Sequence, residues 1–309
     1  MPILSSQSHA YWLRGERSSC MLFACSGTGR GDIKCSEVSK VKIDCHVHVN
    51  WQGYDATKVI AHMDKLGIDQ AWVLTWEMVN GLQVGYQHLS MQEMWAACRK
   101  YPRRLLPFHA PDPRRPDAER LLREEIRRGL RGFGECKVRT CIDDPDLVRL
   151  FRIAGDAGLP VLLHLGKAEP PEYAHWYLHG IDGLARVLDM LPHVNFVGHG
   201  PGFWRYISGD EARDPSGYPK GKVTPGGKLL HLLRRYKNLY CDLSAMSGLN
   251  AISRDPEWGR RFLIRYRTRI LYGTDMFDRR HLDYLESLRL DATTMRLIMG
   301  ENAQRLVRR

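Results

Sequence analysis

The chain has 309 residues, 43% hydrophobic and 26% charged, and its 46 Lys and Arg against 35 Asp and Glu give a formal net charge of +11. That composition excludes wholesale disorder, a collagen-like repeat and a coiled coil, and no apolar run approaches the roughly 18 residues of a membrane-spanning helix. The basic excess invites a nucleic-acid partner. The densest basic run, Arg99 to Arg131, is however interleaved with Asp112, Asp117, Glu119, Glu124 and Glu125, as in solvated helix faces with pairs such as Glu124–Arg128, so neither a nucleic-acid nor a membrane partner is expected.

Residues 1–40 are rich in Ser, Gly and Arg without a sustained period, and read as a flexible leader ahead of a single domain over 41–309. From Val41 a rhythm of short apolar runs and helix-period segments begins. Strands are predicted at Val41–Val49, Gln70–Thr75, Leu105–His109, Gly132–Val138, Pro160–Leu165, Val194–His199, Leu239–Leu243 and Ile270–Thr274. Helices are predicted at Ala56–Leu66, which ends on Gly67, at Asp117–Arg128 after Pro116, at Asp144–Ala157, and at Gly226–Tyr236, Pro256–Tyr266 and Arg279–Leu288. Strands alternating with helices imply a parallel sheet. Eight such units in a domain of about this length close most economically into a (β/α)8 barrel with extended βα loops. An open doubly wound sheet is the alternative, but no Gly-rich dinucleotide turn follows the first strand.

The eight cysteines form no Cys-x-x-Cys pair, and Cys45 and Cys136 sit inside apolar runs; a reducing, cytoplasmic compartment is expected.

Strands buried on both faces should be continuously apolar, yet several of these end in His, Asp or Glu, at the rim where a barrel places its active site. In Ile43-Asp44-Cys45-His46-Val47-His48-Val49 the two histidines share a face, so both imidazoles can converge on one cation. In Gly132–Val138, Glu135 and Lys137 share a face. This fits an ion pair lining the barrel, or a metal-ligating or bridging carboxylate beside a lysine that orients an anionic substrate or, carboxylated, bridges two metals. His164, His199 and Asp275 end the fifth, sixth and eighth runs. This donor set suits Zn²⁺, with Mn²⁺, Fe²⁺ or Co²⁺ also compatible. Asp275 is placed to take a proton from water and pass it to the leaving group, and His199 to ligate a second metal or contact the polarised substrate oxygen. Asp242 and Ser244, at the end of the seventh run, either shape the pocket or cap the following turn. Trp76, Trp204, Lys137, Arg139 and Arg205, on or beside the loops over this rim, are the candidate substrate-binding residues for a small, anionic molecule; packing of the aromatics against the barrel is the competing reading.

The order His-x-His, Glu, His, His, Asp on successive strand ends resembles the amidohydrolase superfamily. The segments IDCHVHV, GLPVLLHLG, NFVGHGPG, NLYCDLSA and RILYGTDMF resemble its amidohydrolase-related (amidohydrolase 2) family, over about residues 41–307. The resemblance implies His46, His48, His164 and Asp275 as metal ligands, as in mononuclear members. It matches His199 to the sixth-strand histidine, which ligates a second metal in binuclear members, and Glu135 to the metal-bridging carboxylate of TatD-type enzymes. One ion is expected, and two are compatible with the ligand set. The expected activity is metal-dependent hydrolysis of an amide, ester or lactone in a small-molecule substrate. The alternatives are a decarboxylase (a lyase) acting on a small aromatic acid and a TatD-like nuclease. A homo-oligomer is compatible with the sequence.

Overall fold

Short β-branched and aromatic runs form the strands β1 (Ile43–Val47), β2 (Gln70–Leu74), β3 (Leu105–Phe108), β4 (Phe133–Cys136), β5 (Val161–His164), β6 (Phe196–His199), β7 (Leu239–Asp242) and β8 (Ile270–Leu271) of a computed structural model. The structure describes residues 41–77, 89–166, 180–210 and 217–307, all within one unit, Ser39–Arg309; the leader read at 1–40 lies outside them. All strand pairs are parallel, β1-β2-β3 in one run and β4 through β8 in the other. Two links close the circle: Phe108 bridges in parallel to Gly132, and Cys45 N donates to Tyr272 O at 2.9 Å. The fold is a (β/α)8 barrel.

The outer layer is built from α1 (Ala56–Leu66), α2 (Met91–Lys100), α3 (Ala118–Arg128), α4 (Pro145–Asp156), α5 (Ile181–Met190), the short α6 (Pro201–Trp204), α7 (Lys228–Arg235), α8 (Ala245–Ser253), α9 (Pro256–Arg265), α10 (Arg280–Ser287), α11 (Ala292–Arg296) and α12 (Asn302–Val307). Helix α1 shows the local logic. Asp55 caps its start by accepting from Lys58 N, Val59, Met63 and Leu66 form the buried stripe, and Gly67 ends it at φ 65°.

The barrel interior is filled from below. Ile43, Cys45, Trp72, Leu74, Phe108, Leu162, Val197 and Leu271 form one apolar cluster with Ala303, Leu306 and Val307 of α12. Trp72 and Phe108 stack within it, with centroids 4.5 Å apart. This plug leaves the C-terminal strand ends as the end where buried polar side chains converge. Among the described residues no helix is long and apolar enough to cross a membrane.

Several predicted elements shorten in the structure. β1 ends at Val47, β4 at Cys136 and β8 at Leu271, so His48, Lys137 and Asp275 lie just beyond their strands. The pairing slips between Asp44 and Val47 in β1 and between Phe133 and Cys136 in β4. These irregularities turn the polar residues at the strand ends toward the barrel mouth.

Candidate metal centre and active site

The centre starts from β1. His46 Nδ1 donates to Asp242 Oδ2 at 2.7 Å and His48 Nδ1 donates to Leu74 O at 2.9 Å. Each bond fixes the Nδ1–H tautomer, which leaves both Nε2 lone pairs facing the mouth, 3.2 Å from one another. Two such lone pairs repel unless a proton or a cation lies between them.

Asp275 reaches this pair from the end of β8. Its Oδ1 is 3.2 Å from His48 Nε2 and 3.6 Å from His46 Nε2, and its Oδ2 is 3.8 Å from His199 Nε2. Its backbone is left-handed (φ 52°), and its N–H donates to His46 O at 2.9 Å, which fixes the turn that aims the carboxylate inward. Asp44, buried in the otherwise apolar β1, bolts the same two strands together. It accepts from Thr274 N at 3.1 Å, Thr274 Oγ1 at 2.7 Å and His46 N at 2.9 Å, and burial pushes its carboxyl up to about 7.

The opposite side comes from β4, β5 and β6. Glu135 N donates to Thr75 O at 2.7 Å, and Glu135 Oε1 accepts from His164 Nδ1. The other oxygen, Oε2, is buried without a hydrogen-bond partner, 3.6 Å from His48 Nε2 and 3.8 Å from both His46 Nε2 and Lys137 Nζ. His199 Nε2 is likewise buried without a partner. Its Nδ1 lies 3.0 Å from Ser244 Oγ, and since that hydroxyl donates to Asp242 Oδ2 at 2.8 Å, it accepts from His199. Gly200 is required beside this ring pair: at φ 93°, a Cβ there would stand 2.8 Å from His164 Cδ2.

Asp242 is the hub that sequence reasoning left open between pocket and turn. It serves both. Oδ1 accepts from Ser244 N at 2.8 Å, an Asx turn, while Oδ2 takes His46 Nδ1 and Ser244 Oγ and lies 3.3 Å from His199 Nδ1. A Cβ on Gly273 would come within 2.6 Å of Oδ1, so the small residue makes room for the hub.

The electrostatics follow from these contacts. Burial pulls the His46 imidazole down, but Asp275, Asp242 and Glu135 around it outweigh this and push it up to about 9. Burial draws His164 down to about 3 against the pull of Glu135. Burial opposes ionisation of Glu135, Asp242 and Asp275, yet Lys137, His164 and His46 hold Glu135 well below the carboxylate range, His46 and His199 do so for Asp242, and His46 and His48 for Asp275. Three carboxylates, Glu135, Asp242 and Asp275, thus crowd around the imidazoles in a buried pocket, an arrangement that favours an added cation.

The residues fit a divalent metal. Among the described residues, His46, His48 and Asp275 form one group of donors within 4.8 Å of each other, and Glu135, His164 and His199 form a second. His164 thus gathers with Glu135 and His199, a group that adjoins the β1 pair through Glu135 Oε2, 3.6 Å from His48 Nε2. A third group, His46, His199 and Asp242, meets behind the rings at their Nδ1 atoms, and there the carboxylate orients the imidazoles.

The candidate substrate residues separate. Trp76 stands at the mouth, 4.5 Å from the His48 ring and 5.3 Å from that of Trp51, with Lys137 Nζ 3.8 Å over its face. Trp204, as fully buried as Trp76, lies away from the histidines. Its indole N–H donates to Asp242 O at 2.9 Å, and its ring meets Phe203 and Phe262, so it supports β7 from behind. Arg205 lies half-buried over Tyr206 at 5.7 Å, and Arg139 is exposed. Residues 167–179, which follow β5, lie outside the described residues.

Comparison with known proteins agrees with the barrel fold. No curated protein matches the chain. Three solved structures share the fold. A probable 2-pyrone-4,6-dicarboxylic acid hydrolase from Acinetobacter baumannii, with citric acid bound, has 17% identity over 86% of this chain and 98% of its own, TM-score 0.55. A dihydroxybenzoic acid decarboxylase from a Polaromonas species, with manganese and 2-nitroresorcinol bound, has 16% identity over 86% and 96%, TM-score 0.52. An amidohydrolase from Burkholderia multivorans, with zinc bound, has 16% identity over 86% and 99%, TM-score 0.53. The amidohydrolase family model matches residues 43–309. The chain belongs to the amidohydrolase family, whose members include metal-dependent hydrolases and decarboxylases.

Proposed function

We propose that the protein is a metal-dependent hydrolase that opens an amide, ester or lactone bond in a small anionic substrate. One observation carries this reading. Of the three carboxylates around the histidines, Asp275 alone reaches solvent, its side chain 19% exposed against 1% for Glu135 and 0% for Asp242. It is the group that can exchange a proton with both water and a leaving group.

His46, His48 and Asp275 would hold a divalent ion, with Glu135, His164 and His199 able to hold a second; the imidazole-rich donors favour zinc, and manganese, iron or cobalt are compatible. Such an ion, when bound, would supply Lewis acidity toward a substrate oxygen and a water. Asp275 takes the water proton and returns it to the departing oxygen or nitrogen. His199, with Nδ1 committed to Ser244, offers Nε2 as a ligand or proton acceptor; a second ring proton would let it donate to the substrate oxygen instead. Trp51 and Trp76 meet edge-on beside the centre, their planes 81° apart, and Lys137, over the Trp76 face, places positive charge where a substrate carboxylate would lie. The free cysteines Cys45, Cys98, Cys136, Cys141 and Cys241 support a reducing, cytoplasmic setting.

The same indoles and lysine favour a second reading, decarboxylation of a small aromatic acid, the activity named for the Polaromonas structure. Metal-loaded protein offered a panel of lactones, esters and aromatic carboxylates separates the two. Hydrolysis predicts acid release without CO₂. Release of CO₂ from an aromatic acid, with no lactone or ester opened, would replace this reading with the second.

A further inference from the structure

Beyond the Asp44–Thr274 bonds and the backbone bonds that join the first and eighth strands, the loops that leave these strands meet at two aromatic rings. The loop leaving β1 carries His46 and His48 into Asn50–Tyr54, and the loop leaving β8 carries Asp275 into Met276–Asp278. The first loop folds back tightly. Asn50 N donates to Tyr54 O at 2.7 Å and Tyr54 N to Trp51 O at 2.9 Å, with Asn50, Gln52 and Gly53 all left-handed. This lays the Tyr54 ring flat on Phe277, with centroids 3.7 Å apart and planes 3° from parallel. Aromatic pairs left to themselves prefer offset or edge-on contact, so the face-to-face arrangement is set by the two loops that carry the rings. His62 of α1 meets both rings edge-on, at 6.1 and 5.7 Å, and Gln52 Nε2 donates to Met276 Sδ at 3.8 Å. The rings are only partly buried; they pack against the edge of the main apolar core and border an open cavity of about 830 Å³ that Lys58 and Lys65 also line.

Phe277 lies two residues beyond Asp275, whose N–H is already tied to His46 O at 2.9 Å. Asp275 is therefore held from both sides, by the β1 backbone within and by the ring stack without. We infer that Tyr54 and Phe277 are positioning residues whose stack sets the separation between the His46–His48 pair and Asp275 at which these three share one cation. This rests on the metal reading proposed above.

The test uses full-length protein stripped by a chelator and titrated with Co²⁺, following its visible spectrum, with the melting temperature of the metal-free form recorded alongside. Phe277→Leu keeps an apolar side chain but removes the stack. It should weaken Co²⁺ binding about tenfold or more and change the spectrum, while the metal-free melting temperature stays within a few degrees of wild type. Tyr54→Phe keeps the ring and should bind as wild type does. Should Phe277→Leu not fold, Tyr54→Leu breaks the stack from the other loop and carries the same expectation. Unchanged affinity and spectrum in the folded leucine variant, or a loss in Tyr54→Phe as large as in Phe277→Leu, would overturn the inference alone. Wild-type protein that takes up no Co²⁺ would overturn the metal reading and this inference with it.

Discussion

Asp275→Asn is expected to lower kcat by about 10²–10⁴-fold, the usual worth of a positioned proton-transfer group, while the purified protein keeps its metal. Asparagine retains an oxygen that can face His48 Nε2, where Asp275 Oδ1 stands at 3.2 Å, so a donor to the metal survives. What is lost is the capacity to accept and return a proton at the solvent-accessible edge of the site. Steady-state kinetics and metal analysis on the same preparation separate the two functions. Retained turnover would remove Asp275 from the proposed chemistry, and loss of the metal would reduce its role to that of a ligand.

Asp242→Asn is expected to weaken metal binding by about 10–100-fold, the typical effect of disturbing the partners that orient metal-ligating histidines. The two side chains have the same shape, yet both Asp242 oxygens accept: Oδ1 from Ser244 N, Oδ2 from His46 Nδ1 and Ser244 Oγ. An amide must turn its NH₂ toward one of these donors, whichever way it is placed. If it faces His46, the ring is driven to the Nε2–H tautomer and that ligand atom is lost. If it faces Ser244, the turn that carries the His199 partner opens. Equilibrium titration with Zn²⁺ reads the effect, and wild-type affinity in the variant would show that Asp242 orients neither ring.

Much of the barrel is legible in the sequence because apolar runs of strand length alternate with capped helices such as α1 and α4, whose Asp55 and Asp144 announce their starts. Helix α2, absent from the predicted helices, is equally legible: Ser90 caps it by accepting from Glu93 N, and its buried positions Met94, Trp95, Ala97 and Cys98 fall on one helical face. Helix α8 has Gly248 at its centre, a poor helix former, where a Cβ would press within 2.1 Å of Leu243 O; tight packing rather than propensity makes it a helix.

The ligand types were equally readable from strand ends, since a His, Glu or Asp that interrupts an apolar strand needs a partner. Their grouping was not. Spacing along a strand tells which face a residue takes, but not which neighbours meet it across the mouth, and so it cannot place His164 with Glu135 and His199. Nor does it separate Trp76, at the mouth, from Trp204, behind β7. Asp44 stands inside an apolar strand run with no role assigned, and Asp242 looks in sequence like a residue that begins a turn. Only the closure of β8 onto β1 shows that one bolts the strands together and the other holds two imidazoles.

The most direct test of the account is the metal content of protein purified without added metals, wild type beside His46→Ala/His48→Ala, by elemental analysis. Wild type should carry at least one divalent transition-metal ion per chain, and the double variant, still folded by circular dichroism, should carry none. Equal metal content in the two, or a metal-free wild type whose turnover no divalent ion raises and no chelator lowers, would contradict it.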